Sequence, residues 1–106
     1  MMTGHAIAGG CLLTCACDVR YAVKSSTKED FNMAMNETLI KMTIPAWANT
    51  IIENVVPKPY AAAMLSLAEF KSFDQAEKLG IISKRFDDVP AMVDAALKKA
   101  ERFRCK

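Results

Sequence analysis

The sequence has little of what several protein classes require. It contains a single histidine and its net charge is only +2, which gives no support to a strongly basic nucleic-acid surface. No apolar run reaches the roughly 18 residues that a membrane-spanning helix needs. A small and apolar stretch over residues 6–17 has no basic segment before it, so it is not typical of a signal peptide, and no transit peptide is visible. We therefore expect no nucleic-acid partner and no membrane span, and no targeting segment is visible, although a missing N-terminus would hide one.

The remaining composition is that of a small globular chain. Of its 106 residues, 52% are hydrophobic and 25% are charged. These values fit the globular class, and the length allows one domain with a modest core. We expect one domain over residues 1–106.

Four cysteines are present, and three of them fall close together: Cys11, Cys15, Cys17 and Cys105. Cys11 and Cys15 are four residues apart and would share one face of a helix. Their spacing matches no usual zinc pattern, and the only histidine, His5, lies upstream on a predicted strand. We therefore expect no metal site, and buried free thiols in a reducing compartment.

Strand and helix patterns alternate along the chain, which predicts an α/β fold. Strands are predicted over 4–8, 19–23 and 81–86, with a loop over 24–30 and a short extended piece over 31–35. Helices are predicted over 9–17, from Pro45 to about Val55, after Pro57 and Pro59 to about Ala68, from an Asp74 cap to Gly80, and over 89–103.

Two segments point to chemistry. In the first, a short apolar strand turns through Gly9 and Gly10 into a helix, a geometry that presents backbone N–H groups to an anionic oxygen. A Gly-Gly pair by itself often does no more than permit a tight turn. In the second, Glu37 is a lone carboxylate beside the amide Asn36, in a stretch with few other acids. An oxyanion site with one carboxylate is what proton transfer next to a thioester carbonyl requires.

Three stretches of the sequence occur in a characteristic order: Ala8-Gly9-Gly10-Cys11-Leu12 with Cys17-Asp18 downstream, Asn36-Glu37-Thr38 with Pro45 and Trp47, and Gln75-Ala76-Glu77-Lys78-Leu79-Gly80-Ile81-Ile82. In this order and spacing they resemble the crotonase superfamily of enoyl-CoA hydratases and isomerases, most of all the mitochondrial-type Δ3,Δ2-enoyl-CoA isomerases. The resemblance implies a single partial crotonase-like domain with a ββα spiral core and following helices. It covers the central and later part of a family member, from about Gly4 to Phe103, so we expect the N-terminal CoA-binding region to be absent.

The resemblance also implies roles for three residues. Glu37 corresponds to the family's general base, Gly9 to the glycine whose backbone N–H donates to the thioester oxygen, and Asn36 to a substrate-contacting position. A turn or cap role for Asn36 stays open. Core packing is the interpretation for Trp47 and the seven methionines, and a solvated basic face for Lys98, Lys99, Arg102 and Arg104.

The residue at position 12 distinguishes the hydratases from the isomerases of the family. Hydratases of this superfamily place a second glutamate at this position, because two carboxylates together orient the added water and exchange its protons. Moving a double bond from C3–C4 to C2–C3 needs one base, and Leu12 cannot do acid–base work. The resemblance therefore favours an isomerase of unsaturated fatty acid β-oxidation over a hydratase.

The resemblance sets the remaining expectations. The substrate is an acyl-CoA thioester and no cofactor is needed. The missing region would hold the other oxyanion donor and most of the CoA site, so we expect the isolated chain to be poorly active, and a homo-oligomer or a partner chain to supply the missing strands. The compartment would be the mitochondrial matrix or a bacterial cytoplasm. The alternative function is a non-catalytic crotonase-like chain that serves protein–protein contacts.

Overall fold

The computed structural model describes residues 1–104, and it has the predicted alternation of strands and helices. The strands are β1 (Ala6–Ile7), β2 (Tyr21–Val23), β3 (Asn32–Ala34), β4 (Lys71–Ser72) and β5 (Lys84–Phe86). The helices are α1 (Gly9–Cys15), a 3₁₀-helix (Glu37–Ile40), α2 (Ala46–Val55), α3 (Lys58–Leu67), α4 (Phe73–Lys78) and α5 (Val89–Glu101). The α/β class is confirmed, and no helix within the described range is long and apolar enough to cross a bilayer.

The strands form two small sheets. In the first, β3 lies between β1 and β4, parallel to β1 and antiparallel to β4. In the second, β2 and β5 are parallel, with Ala22 opposite Arg85. Parallel neighbours require a crossover connection, and α1 with β2 supplies the one between β1 and β3. The ends of β1 and β3 are thereby brought side by side.

The main core lies between the first sheet and helices α1 to α4. Its largest fully buried side chains include Phe73, Met33, Ile52 and Ile81. Five of the seven methionines are buried, as predicted, and they are Met2, Met33, Met35, Met64 and Met92. The packing prediction is wrong for Met1 and Met42, which are 66% and 55% exposed.

The start of α4 differs from the prediction. Ser72, not Asp74, is the N-cap: its hydroxyl accepts from the Gln75 N–H at 3.2 Å, and the Gln75 side chain accepts from the Ser72 N–H at 3.0 Å. This reciprocal capping box satisfies two helix-end donors that a single aspartate at Asp74 could not reach. Strand β4 immediately precedes it and was not predicted, because two residues carry no readable alternation.

The other helix ends agree with the sequence or differ by one or two residues. Pro45 stands just before α2, and Pro59 lies inside the first turn of α3, where its missing N–H costs nothing. Gly80 follows α4 with φ of +80°, a conformation that favours glycine, so its role in ending the helix is confirmed. The strands are shorter than predicted, since a residue counts as strand only where a neighbouring strand pairs with it.

A cluster of charges ties the loop 24–30 to α4 and β5. The Arg85 side chain is only 14% exposed, and its guanidinium contacts Asp74 at 2.9 Å, Glu77 at 3.2 Å and Asp30 at 3.5 Å. Asp30 also accepts from the backbone N–H of Asp74 at 2.8 Å and of Phe31 at 2.9 Å. Its carboxylate therefore fixes the start of β3. Lys78 and then Arg85 hold the pKa of Asp74 below its usual value.

We expect Arg85→Met to destabilise the fold by about 3 kcal/mol, because it leaves three carboxylates without their shared cation. Urea unfolding followed by circular dichroism measures the loss. Arg104→Met is the matched control, since Arg104 pairs with Glu101 on an exposed surface and its loss should cost under about 0.5 kcal/mol. Equal losses in the two variants would contradict the role of the cluster.

Candidate functional site

The turn between β1 and α1 leaves backbone donors free. The Leu12 N–H makes the first bond of α1, to the Ala8 carbonyl at 2.9 Å. Over the described range, nothing accepts a hydrogen bond from the N–H of Gly9. A Cβ built on Gly9 would meet no atom within 4 Å, so the space beside the turn is open. The turn therefore offers an unused N–H to an approaching oxygen.

Ala8 holds this turn in an unusual conformation. Its φ of 54° and ψ of −117° lie in a region that residues with a Cβ rarely adopt, at a cost on the order of 1–3 kcal/mol. The Ala8 N–H donates to the Ala34 carbonyl at 2.7 Å, which anchors the turn to the end of β3. The sequence gives no sign of this strain, because alanine is not a turn residue.

Asn36 and Glu37 follow β3 directly. Glu37 is the first residue of the 3₁₀-helix, and Asn36 stands at its N-cap position with φ of −98° and ψ of 13°. The Asn36 carbonyl accepts from the Leu39 N–H at 3.1 Å, while its side chain makes no capping hydrogen bond. The cap alternative for the Asn36 side chain is therefore not supported.

The Glu37 carboxylate is half-buried, and one of its oxygens has no partner. Its Oε2 is shielded from solvent and accepts no hydrogen bond from any residue that the structure describes. A buried carboxylate oxygen without a donor is costly, and such groups mark sites where another molecule can supply the missing proton or bond.

The carboxylate lies within electrostatic reach of α1. Cys11, in the first turn of α1, is completely buried. A hydrogen bond with Cys15, burial, and the charges of Cys15 and Glu37 together raise the pKa of the Cys11 thiol far above its usual value. The backbone also links the two segments, since Ala8, just before α1, donates to Ala34, three residues before Glu37. The catalytic and binding roles of Gly9, Asn36 and Glu37 stay predictions.

Leu12 lies beside Cys11 on the same helix. Its side chain is partly buried and packs against the main core. Position 12, which distinguishes hydratases from isomerases in this family, therefore holds an apolar side chain that packs against the apolar core. Leu12 supplies no second carboxylate.

The core prediction for Trp47 is wrong, because 63% of its side chain is exposed. Trp47 is the second residue of α2, and that helix buries Ala48 and Ile52 instead. The same four-residue spacing links Trp47 with Ile51 and Val55, which pack partly against the core, so the apolar pattern alone does not distinguish the exposed Trp47 from the buried face.

The thiols divide into buried and exposed groups. Cys11 and Cys15 are buried and free, as predicted, whereas Cys17 is exposed beyond the end of α1. Cys105 lies outside the described residues. A hydrogen bond with Cys11, together with the positive charge of Arg20, lowers the pKa of Cys15. Within residues 1–104, no three histidine, cysteine or acidic side chains gather as metal ligands would.

The basic residues of α5 and its C-terminal end lie mostly at the surface. Lys98, Arg102 and Arg104 are exposed, which confirms the solvated face. Lys99 is half-buried and lines a cavity of about 520 Å³ with Tyr21 and Phe103. That cavity is lined by neither Gly9 nor Glu37, so it is separate from the candidate site.

Comparison with known proteins identifies a matching family and several relatives of this chain. A family model described as "Enoyl-CoA hydratase/isomerase" matches residues 1–106. The peroxisomal enoyl-CoA delta isomerase 1 of Arabidopsis thaliana is 31% identical over 103 residues, 96% of this chain and 41% of its own length. The mitochondrial enoyl-CoA delta isomerase 1 of Mus musculus is 28% identical over 83 residues, 78% of this chain and 28% of its own length.

Solved structures agree in fold. An enoyl-CoA hydratase/isomerase family protein from Pseudomonas syringae superposes with a TM-score of 0.81 at 25% identity, over 97% of this chain and 43% of that one. A probable enoyl-CoA hydratase from Mycobacterium tuberculosis gives 0.77 at 30% identity, over 94% and 40%. The crotonase-like fold is therefore confirmed. The chain spans less than half the length of each of these four relatives.

We expect the folded Cys105→Ser variant to react rapidly with a thiol reagent at one cysteine. Cys17 is exposed, whereas Cys11 and Cys15 lie in the core, and Cys11 also stays protonated. Titration with a chromogenic disulfide should show one fast thiol in buffer and three in denaturant. Cys17→Ser should abolish the fast phase, and its persistence would contradict the placement of the three thiols.

Proposed function

The chain belongs to the enoyl-CoA hydratase/isomerase family, and we propose that its site serves the isomerase reaction, which moves a C3–C4 double bond to C2–C3 in an enoyl-CoA thioester. The observation that carries the proposal is the half-buried Glu37 carboxylate, whose Oε2 has no partner among the described residues, together with Leu12 in place of a second acid. One base and no second carboxylate suit a proton shift and not the addition of water.

The reaction needs one proton to move between two carbons. Glu37 takes the proton from C2, and the electron pair of that C–H bond forms the C2–C1 double bond of an enolate, with negative charge on the thioester oxygen. In the second step the C1–C2 π electrons of the enolate form the C2–C3 double bond while the thioester carbonyl re-forms. The π electrons of the former C3–C4 double bond take the proton from Glu37 at C4. Atoms and charge balance without a cofactor.

The free N–H of Gly9 suits the charge on the thioester oxygen. A donor that already points at the developing oxyanion needs no reorganisation, and loss of one such donor typically costs about 10²–10³ in rate. Gly9 and Glu37 are both placed by β3, since Ala34 anchors the turn and Asn36–Glu37 continues the strand. Asn36, with a side chain free of any capping bond, is proposed to contact the substrate.

The named relatives support the isomerase interpretation. Both curated relatives carry the name enoyl-CoA delta isomerase, one of them peroxisomal and the other mitochondrial. The same proposal gives this chain a role in unsaturated fatty acid β-oxidation, in the mitochondrial matrix or a bacterial cytoplasm. It also includes assembly with further copies of the chain or with a partner chain.

In any active form of the protein, such as one completed by a partner chain, we expect Glu37→Gln to lower kcat for conversion of 3-hexenoyl-CoA to trans-2-hexenoyl-CoA by at least about 10³-fold, with little change in acyl-CoA binding. The amide keeps the shape of the side chain but cannot accept the C2 proton. Absorbance of the conjugated product measures the rate. Glu53→Gln, an exposed acid on α2, is the control and should keep full activity. Comparable rates for Glu37→Gln and the unaltered protein would rule the mechanism out.

The reaction type gives a separate test. We expect hydration of trans-2-hexenoyl-CoA to be at least 100-fold slower than isomerisation of the 3-enoyl isomer, because Leu12 supplies no second carboxylate. Leu12→Glu should raise the hydration rate, and Leu13→Glu should not, since the Leu13 side chain is 72% exposed. Efficient hydration by the unaltered protein would favour the hydratase reaction instead.

A further inference from the structure

A cleft of about 440 Å³ lies where the C-terminal end of α1 meets the last turns of α2, and it is called the thiol cleft here. Neither Gly9 nor Glu37 lines it, so it is separate from the candidate site. A cleft of this volume can hold a small organic ligand. The side chains that give it chemical character are those of Cys15, Cys17, Asp18, Arg20 and Asn54.

Arg20 brings a positive charge to the thiol cleft that no described carboxylate pairs with. Its side chain is half-buried, its Nε donates to the Ile81 carbonyl, and its Nη1 donates to the Cys17 carbonyl. Nη2 donates to no residue within 1–104. A guanidinium presents its donors in a fixed fork that matches a carboxylate. The unused edge of Arg20 therefore suits a carboxylate of an incoming ligand.

Cys17 places a reachable thiol at the same cleft. It is exposed, and its Sγ has one weak contact, to the Leu13 carbonyl at 3.5 Å. The charge of Arg20 acts inside the cleft, since after a hydrogen bond with Cys11 it lowers the pKa of Cys15. Cys15 itself is only 4% exposed. Attack on a molecule from solvent needs access, so Cys17 is the thiol that can make it.

The remaining polar groups of the thiol cleft complement a small zwitterionic peptide. Asp18 and Asn54 are exposed, and their side chains form no ion pair or hydrogen bond with any residue that the structure describes. Glutathione carries carboxylates, an ammonium group, amides and a thiol. Its carboxylate matches Arg20, its ammonium group matches Asp18 and its amides match Asn54, so the cleft and the peptide agree in charge as well as in size.

We propose that the thiol cleft is a modification site, at which Cys17 forms a mixed disulfide with a small carboxylate-bearing disulfide such as oxidised glutathione, and Arg20 binds a carboxylate of the attached group. The observation that carries the proposal is an exposed thiol in one cleft with a guanidinium that lacks a carboxylate partner among residues 1–104. The proposal does not depend on the isomerase reaction.

The exchange needs no further reactant. The Cys17 thiol gives its proton to solvent, and its sulfur attacks one sulfur of oxidised glutathione. A new S–S bond forms as the old one breaks, and the second glutathione leaves as a thiolate and takes up a proton. Cys17 is oxidised and the departing glutathione is reduced, so atoms and electrons balance, and excess reduced glutathione reverses the step.

Saturation kinetics test the binding step. The Cys105→Ser variant is incubated with increasing oxidised glutathione, and the modified fraction is followed by intact mass. We expect one glutathionyl group per chain, located on Cys17 by fragmentation of the peptide 1–20, and a rate that reaches a plateau. Bis(2-hydroxyethyl) disulfide, which carries no charge, is the reference, and its rate should rise linearly. Relative to the reaction of each disulfide with N-acetylcysteine amide, glutathione should be favoured at least about tenfold, the effect of one charge-assisted hydrogen bond.

Arg20→Met should remove most of this preference and leave the reaction with the uncharged disulfide nearly unchanged. Arg102→Met is the matched control, since it removes the same charge from the exposed end of α5, outside the cleft, and should keep the preference. Cys17→Ser should abolish the modification. Circular dichroism checks each fold, and because Arg20 also bonds to the Ile81 carbonyl, the plateau of the protein that retains Arg20 decides if Arg20→Met does not fold.

Three results would each overturn the proposal. A rate that rises linearly with oxidised glutathione, or equal relative rates for the two disulfides, would make Cys17 an ordinary exposed thiol. A glutathionyl group on Cys11 or Cys15 would show that the wrong thiol is assigned. No isomerase assay enters these measurements, so their failure leaves the proposed function standing.

Discussion

The hydrogen bond from the Ala8 N–H to the Ala34 carbonyl is the contact on which the candidate site depends. It is 2.7 Å long and joins the end of β1 to the end of β3. On one side of it α1 begins, with the free N–H of Gly9, and on the other the chain continues into Asn36 and Glu37. Gly9 lies one residue and Glu37 three residues from this bond, which therefore holds their two segments together.

The same bond helps to explain why Ala8 tolerates its conformation. A strained residue persists where its surroundings determine its backbone more strongly than its own preference does. Ala8 donates to β3 and accepts from Leu12, so both of its backbone polar groups are committed. At the other end of β3, Asp30 and Arg85 fix the start of the strand, which keeps the acceptor at Ala34 in place.

The sequence predicts the parts of this arrangement that depend on local pattern. The alternation of strands and helices, the Gly80 helix end and the burial of Cys11 and Cys15 follow from spacing and residue type, and the site residues follow from the family resemblance. The parts that depend on distant partners are not readable in this way. Ser72 replaces Asp74 as a cap because β4 delivers it there, and the Arg85 cluster joins residues 55 positions apart. The exposure of Trp47 is likewise not readable, because Trp47 shares its apolar spacing with Ile51 and Val55, which pack partly against the core.

The distribution of charge explains why the turn stays available. Residues 1–17 contain no aspartate, glutamate, lysine or arginine, and the first turn of α1 has no acid. An acid at that place would be stabilised by the helix N-terminus and would occupy its free donors. The cluster around Arg85 instead gathers Asp30, Asp74 and Glu77, and Glu37 is the one acid of residues 31–52. No acid of the turn therefore competes for the free N–H of Gly9.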